Sequence, residues 1–200
     1  METESNTAEE MAGLDPLASR IADGDPSAPR ELVERHHAEL YRYALAMLRD
    51  VASAEDAVQG AFERAFVALG RYPEGRIKTL ALRAWLYRIT LNVVRNLVRG
   101  RRREVPVGET PDEPDKRFRA APDLAPGEDR EAWLDVLEVL KLLPDRQRVA
   151  VVLRYVQDLP YAEISEVTGW PESTAKTLVR RGIGRLRVLL TDADSKGGSK

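Results

Sequence analysis

Three sets of side chains along this sequence have the types and spacings for chemistry, and each points to binding rather than bond-making. Ser173, Thr174, Lys176, Thr177, Arg180 and Arg181 crowd into one short stretch near the C-terminus. They are donors for phosphate oxygens, and the cations can also address guanine O6 and N7 in a major groove. Tyr72, Arg76, Lys78, Arg88, Asn92 and Arg95 form the second set, with Trp85 and Tyr87 close by in sequence. Cations, amides and rings together suit single-stranded nucleic acid, whose phosphates are neutralised while unstacked bases rest on aromatic faces. Trp85 fits the core of its helix equally well. The third set, Asp56, Gln59 and Glu63 with Glu55, makes one mainly acidic helix face, which reads equally as a functional surface or as an ordinary solvated one. None of its carboxylates has a partnered histidine for acid–base work. His36 and His37 are adjacent, so on a helix they diverge by about 100°, and no third ligand lies nearby. The chain therefore reads as having no catalytic residue, no metal site and no cofactor.

The elements that must position the C-terminal set run from Pro160 to Arg187, in the order of a helix-turn-helix. Counting from Tyr161, the fourth position of a first helix is apolar Ile164 and the fifth is small Ser165, where a second helix can cross closely. Gly169 supplies the turn, since glycine takes positive φ at little steric cost. Trp170-Pro171 re-aims the chain, and proline suits the first turn of the next helix, where its missing N–H is not needed. Ala175, Leu178 and Val179 then face inward at three- and four-residue spacing, leaving the hydroxyls and cations outside. The same spacing also describes any glycine-turned helix pair with a solvated basic face.

Upstream, the spacing predicts a short helix over Leu14–Ile21 and a longer one over Glu31–Leu48, apolar at Leu32, Leu40, Tyr43, Ala44, Met47 and Leu48. Ser53 is placed to N-cap a helix over Ala54–Leu69, with Asp56 closing a capping box. That helix turns Ala57, Val58, Ala61, Phe62, Ala65, Phe66 and Leu69 to the core. Gly70 to Thr79 reads as a loop. A helix over Leu80–Val98 follows, apolar from Leu82 to Val98 at period 3.6 and ended by Gly100 and three arginines. Glu104–Asp129 has no apolar period and is rich in Pro, Glu, Asp and Ala, which predicts an extended linker. Two more helices, Glu131–Leu143 and one opened by Pro144, precede the helix-turn-helix. Residues 1–13 and 191–200 read as disordered tails.

Composition agrees with a soluble globular chain: 200 residues, 43% hydrophobic, 32% charged, no cysteine. Disulfides and thiolate metal sites are thereby excluded. The acidic N-terminus has no apolar signal region and no run is long enough to span a membrane, so a cytoplasmic location and no membrane insertion are expected. The net charge of -2 conceals a segregation. Arg35–Arg103 has fourteen basic and six acidic residues, Met1–Arg30 two and seven, and Glu104–Glu131 four and nine. A basic body between acidic segments suits binding of a polyanion.

Two stretches carry a family resemblance: AEDAVQGAFERAF followed by AWLYRITLNVVRN, and LPDRQRVAVVLRYVQDLPYAEISEVTG followed by STAKTLVRR. In this order, across Leu14 to Leu190, the chain resembles the extracytoplasmic-function (ECF) group of sigma-70-type sigma factors, the promoter-recognition subunits of bacterial RNA polymerase. The resemblance implies an all-α fold of two small helical domains joined by a flexible acidic linker. It implies a region 2-like domain over 14–103, a linker over 104–130 and a region 4-like helix-turn-helix domain over 131–190. Asp56 and Gln59, with Glu63 on the same face, would dock on the polymerase β′ subunit. The loop holding Tyr72, Arg76 and Lys78, with the helix holding Arg88, Asn92 and Arg95, would bind the melted -10 element and capture an unstacked nontemplate base. Ser173, Thr174, Lys176, Thr177, Arg180 and Arg181 would read the -35 duplex. The partners implied are core RNA polymerase through β′ and β, promoter DNA, and an anti-sigma factor.

The chain also departs from the family pattern. Gly60 stands where the family often has Glu, and Leu178 and Ile183 where many members have Arg. Gly182 and Gly184 are expected to loosen the recognition helix, each by up to roughly 1 kcal/mol. A self-sufficient helix-turn-helix regulator is the alternative reading; it would need a dimerisation or ligand domain, which the cationic first half does not resemble. A recombinase-like enzyme would need a nucleophile or carboxylate cluster that the spacing does not supply.

Overall fold

The computed structural model describes residues 15–104 and 130–197, all helix and connection, with no strand among them. The expected tail over 1–13 and most of the expected linker lie outside the described residues. α1 (Pro16–Ala22) starts where the Asp15 carboxylate accepts from the Leu17 N–H at 2.9 Å. α2 (Ala28–Leu48) has Pro29 in its first turn and stops at Arg49, whose φ of 57° breaks the helical path. α3 (Val51–Leu69) is capped by Asp50 rather than Ser53. Asp50 has the extended backbone of a cap, and its carboxylate accepts from the Ser53 N–H at 2.9 Å and from the Ser53 hydroxyl. An acid one turn earlier thus starts the helix three residues before the expected position.

The stretch expected as a loop contains a short helix, α4 (Glu74–Lys78), seeded by Pro73, with Ile77 buried beneath it. α5 (Leu82–Glu104) runs through Gly100 instead of ending there; one glycine costs a helix only about 1 kcal/mol, too little to stop a long one. Its buried stripe, including Leu82, Trp85, Leu86 and Val93, packs with α2 and α3 into the first core. At its centre the fully buried rings of Tyr43 and Tyr87 meet edge to face, centroids 5.6 Å apart. Phe66, expected in this core, lies at its edge and is 36% exposed.

The second half comprises α6 (Arg130–Leu140), α7 (Asp145–Val151) with its π-helical continuation Val152–Val156, α8 (Tyr161–Thr168) and α9 (Glu172–Gly197). Buried Arg148 holds the end of α6, donating to the Leu140 carbonyl at 3.1 Å and the Leu143 carbonyl at 3.0 Å. α9 extends to Gly197, so the described part of the expected C-terminal tail is helical. No proline interrupts it, and the first glycine pair, Gly197-Gly198, comes only at its end.

The halves are not apart. α8 lies along α5, and α2 meets both α7 and the π-helical turn. No helix among the described residues is long and apolar enough to cross a membrane.

Candidate nucleic-acid interface

The mid-chain set converges on a groove of about 310 Å³ between the end of α3, the turn after it and the outer face of α5. Tyr72, Arg88 and Asn92 line it, together with Arg64 and Asn96, while Ala68, Trp85 and Ile89 lie among them. Trp85 is only 6% exposed, so it serves both the core and the groove, its ring 6.2 Å from that of Tyr72. Arg76 reaches from α4 to place its guanidinium 3.8 Å from the Tyr72 ring centre. A ring flanked by a cation on one side and amides across a groove presents what a single unstacked base needs: a π-face, charge for its phosphate, and donors and acceptors for its edge.

Two residues of the set stand elsewhere. Lys78 turns away to pair with Asp23 at 2.7 Å, tying α4 to the turn after α1, and this carboxylate raises the lysine pKa. Arg95 is half-buried and does not line the groove. Sequence reasoning did not single out Arg64, because it comes from a different helix and reaches the groove only through tertiary packing. Arg64 donates to the Gly60 carbonyl at 2.8 Å, and a side chain at position 60 would crowd its guanidinium.

Asp56, Gln59 and Glu63 form an exposed row on α3, with the Gln59 amide donating to Glu63 at 3.0 Å. Beside them Val67 is 55% exposed.

The helix-turn-helix assembles as its spacing required. Gly169, with φ of 72°, closes α8, its N–H donating to the Ser165 carbonyl at 2.8 Å. Ser165 in turn donates its hydroxyl to the Trp170 carbonyl at 2.7 Å, so the small residue at the fifth position fastens the turn. The Pro171 carbonyl accepts from the Thr174 and Ala175 N–H groups and starts α9. Ala175 and Val179 are buried, Leu178 half-buried. Ser173, Lys176, Arg180 and Arg181 are exposed; Thr174 and Thr177 are half-buried, and Thr177 donates its hydroxyl back to the Ser173 carbonyl at 2.8 Å. Lys176 is flanked by Glu172 at 3.3 Å and by the Tyr161 ring at 5.5 Å. Arg146 over Trp170, at 4.9 Å, and Arg154 near Tyr161, at 5.7 Å, enlarge the basic surface around the motif. Gly182 is not a loose point: a Cβ there would come 2.7 Å from Val151 Cγ2, so its missing side chain lets α9 close on α7.

Between the halves lies a polar cluster that the sequence did not reveal. Arg83 donates to Glu39 at 2.9 Å and to the Gln157 carbonyl at 2.6 Å, and the Tyr87 hydroxyl donates to Gln157 Oε1 at 2.6 Å. Burial pushes the Glu39 carboxyl up, but hydrogen bonds from His36 and Arg83 outweigh it and hold the group below the usual range. Burial, with Glu39 adding to it, pushes the Tyr87 phenol well up, so it stays a donor. Among the described residues no three His, Cys, Asp or Glu side chains are grouped to hold a metal ion.

Comparison with known proteins places both surfaces in one family. Residues 32–104 match Sigma-70 region 2, and residues 133–186 match Sigma-70, region 4. The chain is 32% identical to the ECF RNA polymerase sigma factor SigE of Mycolicibacterium smegmatis, over 88% of this chain and 67% of that one. It is 28% identical to the ECF RNA polymerase sigma factor SigW of Bacillus subtilis, over 86% of this chain and 94% of that one. The structure of CnrH in complex with the cytosolic domain of CnrY superposes with a TM-score of 0.65 at 27% identity, covering 89% of this chain and 96% of CnrH.

Proposed function

The chain belongs to the ECF group of sigma-70 RNA polymerase sigma factors, which direct RNA polymerase to promoters, and on that premise we propose how its residues divide the work. The first half, 14–103, binds core polymerase and the melted -10 strand; the second, 131–190, reads the -35 duplex; 104–130 links them. The observation that carries this division is the groove of Tyr72, Arg88 and Asn92 on α5 in a chain whose α9 also exposes Lys176, Arg180 and Arg181. One surface fits an unpaired base and the other a duplex, which is what a protein straddling a melting boundary requires. The groove excludes duplex, because a base reaches it only after leaving the stack. Unpairing costs a few kcal/mol, so the groove acts by trapping strands that polymerase holds open.

Within the groove, Tyr72 offers the stacking face, Arg76 and Arg88 the phosphate charge, and Asn92 a donor and acceptor for the base edge. Arg95 and Lys78 act on the flanking backbone, Lys78 only after release from Asp23. On α9, Arg180 and Arg181 address base edges and phosphates, while Ser173, Thr174, Lys176 and Thr177 fix the register. Asp56, Gln59 and Glu63 dock on β′. Bond formation belongs to the polymerase, so the chain acts as a non-catalytic, cytoplasmic subunit without a cofactor. CnrH is bound by the cytosolic domain of CnrY in its complex, and a protein partner, an anti-sigma factor, is the regulatory partner we propose for this chain.

Run-off transcription with core polymerase on promoter fragments tests the reading. The chain is expected to start transcripts at specific sites, and Tyr72→Ala to reduce opening by the roughly 1–3 kcal/mol that one stacked base contributes, leaving -35 duplex binding unchanged. Specific duplex binding by the chain alone, with no stimulation of core enzyme, would instead establish a self-sufficient regulator.

A further inference from the structure

We propose that Arg64, seated by Gly60 on α3 and faced by Asn96 on α5, reads the edge of the captured base and selects one with a carbonyl oxygen there, guanine or thymine; this rests on the functional reading above. Arg64 enters the base groove from α3, while Arg88, Asn92 and Asn96 enter it from α5. Its guanidinium lies back along its own helix, Nη1 donating to the Gly60 carbonyl at 2.8 Å. A Cβ at position 60 would come 3.0 Å from that nitrogen, so the bare backbone is what keeps the seat open. Glycine inside a helix lowers its stability, and no helix crossing requires one here, because the atom a Cβ would meet is the tip of Arg64 itself.

The groove is rich in donors and poor in acceptors. No carboxylate is among the described residues that line it. Glu63, beside Arg64 in sequence, accepts from the Gln59 amide at 3.0 Å and lines the neighbouring groove instead. The Asn92 and Asn96 amides can present either a donor or an acceptor, but a guanidinium can only donate. The four bases differ at the matching point of their edges: guanine and thymine carry an oxygen there, adenine and cytosine an amine. An amine brought to Arg64 would set donor against donor. A carbonyl completes a charge-assisted bond, and guanine adds N7 as a second acceptor for the planar fork.

Division of labour in the groove leaves Arg64 for this task. Arg76, stacked over Tyr72, and Arg88 supply charge for phosphates, whereas Arg64 is tethered at one N–H and so has a fixed direction. A tethered fork suits directional recognition of a base edge, and a free surface cation suits the backbone.

Holoenzyme formed from the full chain and core polymerase is tested on fork probes whose -10 nontemplate strand is single, first with an abasic nucleotide moved along that strand. The captured position is the one whose loss weakens wild-type binding and leaves Tyr72→Ala unaffected. At that position guanine and thymine are expected to bind about tenfold more tightly than adenine and cytosine, the scale of one good base contact. Replacing guanine by 2,6-diaminopurine, which exchanges the oxygen for an amine, should remove the advantage. Arg64→Lys keeps the charge without the planar fork and is expected to level the four bases. Gly60→Glu sets a carboxylate one turn before Arg64 and should level them too, by pairing with the guanidinium. Should Gly60→Glu lose helical content or affinity for core, Arg64→Lys alone decides. Equal binding of all four bases by wild type overturns the proposal, as does a preference for adenine or cytosine, or a preference that survives in Arg64→Lys. If no abasic position separates wild type from Tyr72→Ala, base capture itself fails and the proposal falls with it; the abasic scan and the base series read the two failures separately.

Discussion

Alanine at Gly182 and alanine at Gly184 should move stability in opposite directions, although the two glycines sit two residues apart in the same helix. Both substitutions gain about 1 kcal/mol of helix propensity. At Gly184 nothing lies within 4 Å of the added methyl, so the gain stands. At Gly182 the methyl would lie 2.7 Å from Val151 Cγ2 and 3.5 Å from Gln147 Cβ. Val151 is 4% exposed and β-branched, so it has neither room nor a cheap alternative rotamer. Overpacking of this kind costs about 1–3 kcal/mol, which leaves Gly182→Ala destabilised by roughly 0–2 kcal/mol after the propensity gain. The variants should then differ by about 1–3 kcal/mol. For a chain of this size each kcal/mol is about 2–4 °C in Tm, which thermal unfolding followed by circular dichroism resolves. A tilt of α9 on α7 should also weaken -35 binding by Gly182→Ala and leave Gly184→Ala unaffected. Equal stabilisation by both alanines would refute close approach of the two helices at Gly182.

Arg181→Ala should weaken -35 recognition and relax its sequence preference by about 1–3 kcal/mol, the usual effect of a lost bidentate base contact; an equal fall on matched and mutated -35 promoters would make it a phosphate contact instead. Asp56→Ala with Gln59→Ala should lower affinity for core polymerase at unchanged helical content, since both side chains are exposed and off the buried stripe of α3; wild-type affinity would reject this docking face. Glu39, faced by His36 on its own helix and by Arg83 and Tyr87 on α5, has its folded pKa lowered. Its contribution to stability is therefore full above the unfolded value of about 4.3 and lost as pH falls through the lower folded value. Glu39→Gln should flatten acid unfolding in that window, and an unchanged acid profile would show that the cluster adds nothing.

Periodicity was enough to determine most of the helices and the faces they bury, because Ala57, Ala61 and Ala65 on one helix, and Leu82, Trp85, Leu86 and Val93 on another, recur at helical spacing and each side chain's facing follows from its position along the chain. The helix-turn-helix was equally legible: Ile164, Ser165, Gly169 and Ala175 are each required locally, and the structure shows Ser165 and Gly169 closing the turn with their own hydrogen bonds. Local competition was harder to judge. Asp50 displaced Ser53 as the cap of α3, and Gly100 did not stop α5, because a cap or a glycine shifts the balance by only about 1 kcal/mol.

What depends on two elements at once had no sequence signal. Tyr72, Arg88 and Asn92 could be named as candidates, but only the crossing of α3 and α5 gathers them around Trp85, adds Arg64 and leaves Lys78 on Asp23. Gly182 read as a weak point until α7 proved to lie against it. Gln157 carried no mark at all. A side chain's meaning at such a position is set by residues some 70 places away in sequence, Arg83 and Tyr87, and that proximity arises only in the tertiary structure.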